Sequence, residues 1–315
     1  MLNKTKLGFL VVLFGLLIFL PPFFEAIEEP FYLSLASRVL IFAIAAISLD
    51  LILGYGGLIS FGHAAYLGLG AYAVAILNFY DIENGWLQLI VAIVGSGIVA
   101  AFIGSISLRT GGLYFIMITL AFTQMLYFLG ISLEEYGGDD GINTARSFFG
   151  DWIDLDDNST LYYVILFFLA LCTFLSWRLV NSRFGMVIRG SHSNEARMEA
   201  IGYPVFRYRL VAFVISGAMC GVAGFLLANL TEFVTPEFMR WTRSGEIMIM
   251  VLLGGMGTVF GPILGAAAYL LLEDVLATVT QHWWIIFGPM LLIIILFAKK
   301  GLWGILPGKE DMSDD

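Results

Sequence analysis

Apolar residues in this chain come in runs of roughly twenty, the length an α-helix needs to cross a bilayer, divided by short polar or charged joints. Nine or ten such spans can be read, at 7–24, 32–53, 64–80, 86–108, 113–131, 161–179, 210–230, 247–253, 263–279 and 283–298. The first ends at Pro21-Pro22 with no small-residue cleavage site behind it, which favours a retained helix over a signal peptide. The eighth is too short to cross alone at a rise of about 1.5 Å per residue. It reads as a broken or re-entrant helix, tolerated at membrane depth only where protein or water satisfies its backbone. The expected fold is an all-α integral membrane protein, a polytopic bundle of about 8–10 transmembrane helices with glycine-rich broken helices in two related halves.

The breaks themselves carry the most information. The first cluster runs Leu53-Gly54-Tyr55-Gly56-Gly57-Leu58-Ile59-Ser60-Phe61-Gly62-His63, and the second Leu253-Gly254-Gly255-Met256-Gly257-Thr258-Val259-Phe260-Gly261-Pro262. Matching interruptions in separate halves point to a substrate path at the breaks. The competing reading is that these glycines only let helices approach closely. Candidate path residues are therefore Gly56, Gly57, Gly62 and His63, with Gly254, Gly255, Gly257 and Gly261.

Composition agrees: 59% of residues are hydrophobic and only 13% charged, against about a quarter charged in soluble domains. This leaves one membrane domain and no room for a large soluble one. Cys172 and Cys220 both lie inside apolar spans and read as small buried hydrophobes. A net charge of −9 argues against nucleic acid as a partner. The charge is unevenly placed, and that sets an expected topology. With the N-terminus inside, ten crossings put Lys4, Lys6, Arg109, Arg178, Arg183, Arg189, Arg197, Arg207, Arg209, Lys299, Lys300 and Lys309 in the cytoplasm. Only Arg38, Arg146, Arg240 and Arg243 fall outside or near the outer interface, as the positive-inside rule requires. Both termini are then cytoplasmic, and the acidic stretch 134–157 lies outside.

Two joints stand out by length. The outer one, 132–160, contains Gly137-Gly138-Asp139-Asp140-Gly141, which lacks the spaced ligands of an EF-hand and reads as a tight turn on a surface facing a partner. The inner one, 180–209, contains Ser193-Asn194-Glu195-Ala196-Arg197-Met198-Glu199-Ala200-Ile201-Gly202. Asn194 or Ser193 can cap a helix there, acids follow near its positive end, and Gly202 stops it with Pro204 beyond. Such a helix can be a knob for another protein, or an amphipathic segment lying on lipid.

No catalytic constellation is present: no Walker motif, Gly-x-Ser-x-Gly elbow, His-Glu-x-x-His or Cys-x-x-Cys. The three histidines, His63, His192 and His282, sit in different segments, so no metal site is expected. The intramembrane ionisable set is short: Arg38, Asp50, His63, Glu246 and Glu273-Asp274. Such groups are costly and usually face a cavity or another helix. Snorkelling or pairing at helix ends accounts for Arg38 and Glu246, and a proton relay is the minor alternative.

The run 51–66, from Leu51 through Gly54, Gly56, Gly57, Gly62 and His63 to Tyr66, resembles the signature of branched-chain amino-acid ABC-transporter permeases, and of their M-type subunit in particular. Further blocks agree in order: Leu108-Arg109-Thr110-Gly111-Gly112-Leu113-Tyr114-Phe115, Thr119-Leu120-Ala121-Phe122, Gly137-Gly138-Asp139-Asp140-Gly141, Ser182-Arg183-Phe184-Gly185, and the second glycine cluster. The resemblance implies a first helix and outer loop over 1–31, a permease membrane domain over 32–300 with a cytosolic coupling loop at 181–209, and a cytosolic tail over 301–315. It implies partners: a second homologous permease, two cytosolic ATP-binding subunits, a periplasmic substrate-binding protein and membrane lipid. It implies no catalytic site and no cofactor in this chain, ATP being bound by the partner subunits. The location implied is the bacterial cytoplasmic (inner) membrane. Glu195, Ala196, Arg197, Glu199, Ala200, Ile201 and Gly202 would form the coupling loop, although Glu195-Ala196-Arg197 and Glu199-Ala200-Ile201 only approximate the shared Glu-Ala-Ala start. Two alternatives remain in view: a related urea or short-amide importer, and an ion-gradient-driven carrier, which needs no docking knob.

Overall fold

The computed structural model describes residues 14–24, 30–150, 154–279, 282, 285–289 and 301–305. Helices dominate: α1 (Phe14–Phe24), α2 (Pro30–Leu53), α3 (His63–Phe79), α4 (Gly85–Ser107), α5 (Leu113–Ser132), α6 (Asn158–Val180), α7 (Arg183–Ser193), α8 (Glu195–Ala200), α9 (Val205–Thr231), α10 (Trp241–Gly254), α11 (Gly261–Val279), α12 (285–289) and α13 (Gly301–Ile305). Six of them, α2, α4, α5, α6, α9 and α11, are long and apolar enough to span a membrane. Six full-length spans thus stand among the described residues, within an expected bundle of about 8–10 helices. The difference lies in the shorter helices α1, α3 and α10 and in the span expected at 283–298, most of which lies outside the described residues, as do the first residues of 7–24.

The eighth run, 247–253, reads from sequence as a broken or re-entrant helix. Its helix, α10, instead extends backwards to Trp241 and stops at Gly254. Gly255 adopts φ +113°, where an L side chain is strained, so the α-helix cannot run on. At 14 residues, α10 covers about 21 Å. The helices leading into the two breaks are unequal, 24 residues in α2 against 14 in α10; the breaks resemble each other more than the helices before them do.

The core is built round α2 and α9, which are largely enclosed, whereas α5 leaves most of its surface exposed. α9 packs along α2, α3 and α4. This is possible because α3 and α9 meet backbone to backbone. A Cβ at Gly224 would overlap the Leu67 carbonyl, and one at Gly70 would overlap the Gly221 carbonyl. Small residues bring membrane helices this close, so the close-approach reading of glycine holds for this seam.

Polar groups tie one end of the bundle together. Gln88, fully buried on α4, donates from Nε2 to Asn78 Oδ1 (2.7 Å) and to the Ile82 carbonyl (2.8 Å), and accepts from Ser147 Oγ. Ser147 N donates to Asn229 Oδ1 on α9 at 2.7 Å. A two-residue antiparallel ladder, β1 (Ile142–Asn143) with β2 (Phe233–Val234), pairs Ile142 with Val234 and Asn143 with Phe233. The α3–α4, α5–α6 and α9–α10 connections therefore share one face, as alternate crossings require. Gly137, Gly138 and Gly141 all have positive φ and form the expected tight turn. Asp157 caps α6: its carboxylate accepts from the Thr160 hydroxyl and from Thr160 and Ser159 N, and these bonds, the hydroxyl's first, hold its pKa below the usual carboxylate range.

Candidate functional site at the two glycine breaks

After α2 the chain makes a tight turn, with Gly54 N and Tyr55 N donating to the Asp50 carbonyl and Gly57 N to that of Leu53. Gly57 takes φ +67°. From there to Gly62 the backbone is not helical, and α3 begins at His63. With 17 residues, α3 covers about 26 Å, short of the ~30 Å hydrocarbon thickness. Open backbone inside a membrane must find partners in protein or water, and here they are hydroxyls. Phe61 N donates to Thr119 Oγ1 at 3.2 Å; the Phe61 carbonyl accepts from Thr123 Oγ1 (2.9 Å) and Ser244 Oγ (2.7 Å). Ser244 Oγ also accepts from Ala64 N at 2.9 Å. Thus α5 and α10 supply the groups that make the first break affordable.

That arrangement sets an order of costs. Thr123→Val should destabilise by only about 1 kcal/mol, since the Phe61 carbonyl keeps Ser244. Ser244→Ala should cost more, because it also strips Ala64 N of its acceptor. Thermal unfolding of the two variants in detergent checks the ranking; equal midpoints would contradict it.

The second break meets the first. Gly257, at φ +71°, donates its N–H to Asp50 Oδ1 at 2.8 Å, and Thr258 N bonds to the same carboxylate. Gly54 lies against this bond: a Cβ there would overlap Asp50 Oδ1 and Gly257 N and stand 2.8 Å from Gly257 Cα. Thr258 Oγ1 turns back to the Gly255 carbonyl (2.6 Å) and accepts from Gly261 N (3.2 Å) to start α11. Gly255 is also packed against Gly301 of α13.

Of the expected path residues, Gly57, Gly255 and Gly257 are required by backbone conformation. Gly56 is a buried member of the first turn, and Gly62, in ordinary right-handed conformation, precedes α3. Gly254 and Gly261 face each other across the second break. His63 is fully buried rather than open to a path. Ser216 gives its hydroxyl proton to the Ser48 carbonyl, so it accepts from His63 Nε2–H (2.7 Å), which fixes the ring tautomer and leaves Nδ1 without a partner among the described residues. Arg38 and Glu246 are both paired: Arg38 lies 3.7 Å from Glu273, bridging α2 and α11, and Arg243 lies 2.8 Å from Glu246. Snorkelling is not needed for either.

The 180–209 stretch holds two helices where one was expected. Asn194 Oδ1 accepts from Arg197 N at 2.9 Å and caps α8, and Gly202 at φ +95° follows its end, as the sequence signals indicate. Before it comes α7, capped by Ser182 Oγ on Gly185 N and burying Val187 and Ile188. Its amphipathic spacing is legible in 183–193. Arg209, from the first turns of α9, binds the Ser191 carbonyl (3.1 Å) and Glu195 Oε2 (2.7 Å), clamping α7 to α8. Glu195, Ala196, Arg197, Glu199, Ala200, Ile201 and Gly202 are all exposed. Asp50, Gly54, Thr119, Thr123, Ser244 and His192 complete the constellation and were not among the expected site residues. The i,i+4 pair Thr119/Thr123 on an apolar helix was the available signal for two of them.

Comparison with known proteins decides the family. Residues 31–296 match the model of the branched-chain amino acid transport system permease component. The chain belongs to this family. The permease is 28% identical to the high-affinity branched-chain amino acid transport system permease protein LivM of Salmonella typhimurium, over 88% of its own length and 72% of the relative's. It is 25% identical to the probable branched-chain amino acid transport permease protein LivM of Methanocaldococcus jannaschii, over 83% and 90%. The permease protein LivH of Escherichia coli K12 is 23% identical over 84% and 91%. No solved structure matches. The permease is thus a multi-pass membrane transport component, and its glycine breaks and α7–α8 arm lie within the family-matched region.

Proposed function

We propose that the permease is one of two related permease subunits of an ATP-driven importer, together forming the path for branched-chain, apolar amino acids. The names of its relatives, LivM and LivH, support both the substrate class and the pairing. ATP would be bound and hydrolysed by two cytosolic partner subunits, this chain contributing no ATPase site and no cofactor, and a periplasmic binding protein would deliver the substrate. The membrane is the bacterial inner membrane, with both termini and residues 181–209 in the cytoplasm and 132–160 outside. Residues 32–300 form the permease domain, with 1–31 and 301–315 flanking it.

The observation that carries this reading is the α7–α8 arm: an exposed, internally clamped pair of helices between two spans. An ion-driven carrier has no need of it, and four of the ionisable groups in the spans, Arg38, Asp50, Glu246 and Glu273, already have protein partners. A docking surface needs an apolar centre with charged edges. Ala196, Ala200 and Ile201 supply the centre, and Glu195, Arg197 and Glu199 the edge. Ala200→Glu buries an unpaired charge in that interface, at a cost of several kcal/mol, so docking should weaken by roughly a hundredfold or more. The variant should insert normally and lose its ATPase in a pull-down; full co-purification with normal uptake would refute the coupling assignment. Orientation is checked separately: a cysteine at Asp140 should react with an impermeant maleimide in intact spheroplasts and one at Ser193 should not, the reverse pattern overturning the topology.

A further inference from the structure

Between the arm and the path lies one contact that the docking surface does not use. His192, in the last turn of α7, places its imidazole directly on Gly57 in the first break. A Cβ at Gly57 would come within 3.0 Å of three ring atoms: Cδ2, Nε2 and Cγ. We infer that His192 is the positioning residue through which the arm acts on the first break, and that the Asp50–Gly257 bond carries the displacement to the second. This rests on the importer reading above.

The argument is mechanical. The arm moves as a unit, because Arg209 binds both the Ser191 carbonyl and Glu195, and because Met198 of α8 packs on Gly190 of α7. A push on α8 therefore arrives at residues 191–192. What it meets there decides the outcome. The neighbouring helices α2 and α9 are enclosed and tightly packed, and packed cores shift as blocks rather than deform. The stretch after Gly57 is the compliant element: it has no helical ladder from Ile59 to Gly62 and is held by hydroxyls on α5 and α10. His192 touches this stretch at its first residue. From the same turn, Gly54 is in backbone contact with Gly257 through the Asp50 carboxylate, so a shift of the first turn cannot leave the second break in place. The alternative route runs through Arg209 into α9, which meets the first break only at its far end, where Ser216 bonds His63.

The test uses the assembled importer in proteoliposomes, with its ATPase subunits and binding protein. His192→Ala removes the ring from Gly57 without touching the docking face, and His192→Phe restores a ring that cannot titrate or hydrogen-bond. The reporter is a single cysteine at Ile59, which is exposed in the break; its maleimide reactivity is compared with and without ATP and vanadate. His192→Ala should keep its ATPase subunits in a pull-down, lose the nucleotide-dependent change at position 59, and transport at least tenfold less amino acid per ATP hydrolysed. His192→Phe should recover most of both. A merely structural histidine would lower yield or stability and leave the amino-acid-to-ATP ratio and the reactivity change intact. If His192→Ala keeps that ratio and that change, the inference is wrong and the route through α9 stands. If wild-type permease itself retains no ATPase, the importer reading fails first.

Discussion

Asp50→Ala is expected to reduce uptake by tenfold or more, although the residue touches no exposed surface. Asp50 is 2% exposed and its carboxylate is spent on the backbone N–H groups of Gly257 and Thr258. Those donors lie in a break where no helical carbonyl can take them. Removing the acceptor leaves two N–H groups unpaired, at roughly 1–3 kcal/mol each. It also releases the junction that holds the second break against Gly54. Asp50→Asn separates the two things a carboxylate can supply. The amide keeps an acceptor oxygen for Gly257 N and drops the charge, so uptake should stay within about threefold of wild type if acceptance is the role. An ionic role would make asparagine as damaging as alanine. Uptake of labelled amino acid into proteoliposomes, with insertion and yield measured beside it, reads both variants. Near-normal uptake by Asp50→Ala would show that the two breaks do not act as a pair.

This junction also marks how far the sequence could be read. Long apolar runs define membrane helices by length alone, so α2, α4, α5, α6, α9 and α11 appear within a few residues of where the spans were drawn. Glycine clusters likewise announce both breaks, since positive φ at Gly57, Gly255 and Gly257 strains an L side chain and favours glycine. What stayed hidden is pairing across distance. Nothing local to Asp50 says that its partner stands 207 positions later, and nothing in Ser244 says that it serves Phe61 and Ala64. Such partners are chosen by the tertiary packing of α2, α5 and α10. Hydroxyls in an apolar helix carry no sign of whether they bond their own helix or another: among the described residues Thr173 bonds back to Leu169 alone, whereas the Thr123 hydroxyl is shared between the Thr119 and Phe61 carbonyls. The 180–209 stretch was half legible. Caps and a stop glycine gave α8; α7 is weakly apolar as a whole, and its signal is the amphipathic spacing that buries Val187 and Ile188.

At the opposite end of the bundle, Arg146→Ala should have the larger effect on stability. The Arg146 side chain is 11% exposed and works as a four-way tie. Its Nη1 donates to the carbonyls of Leu155 (2.6 Å) and Asp156 (3.0 Å), its Nη2 to Asn158 Oδ1 (2.9 Å), and its Nε stands 2.8 Å from Glu232. It thereby fixes the 154–158 segment, and the start of α6, to the end of α9. Glu232 itself sits at φ +52°, an uncommon conformation for a non-glycine residue, where α9 must stop abruptly to feed the β2 ladder. Removing a buried cation costs about 3–5 kcal/mol when its partners stay behind. Glu232 is 54% exposed and can rehydrate, which lowers the expected loss to about 2–4 kcal/mol. Arg146→Lys should recover little, since one ammonium cannot reproduce a planar fork directed at three acceptors beside a carboxylate that it pairs by charge. Glu232→Gln keeps an acceptor and should cost well under half as much as Arg146→Ala. Thermal unfolding in detergent should fall by something on the order of 5 °C or more for Arg146→Ala. Limited proteolysis should show new cleavage within 154–158, because the carbonyls that held that segment have lost their donor. An unchanged midpoint with an uncut outer segment would mean that the ladder and the Gln88–Ser147–Asn229 network hold this face without the arginine.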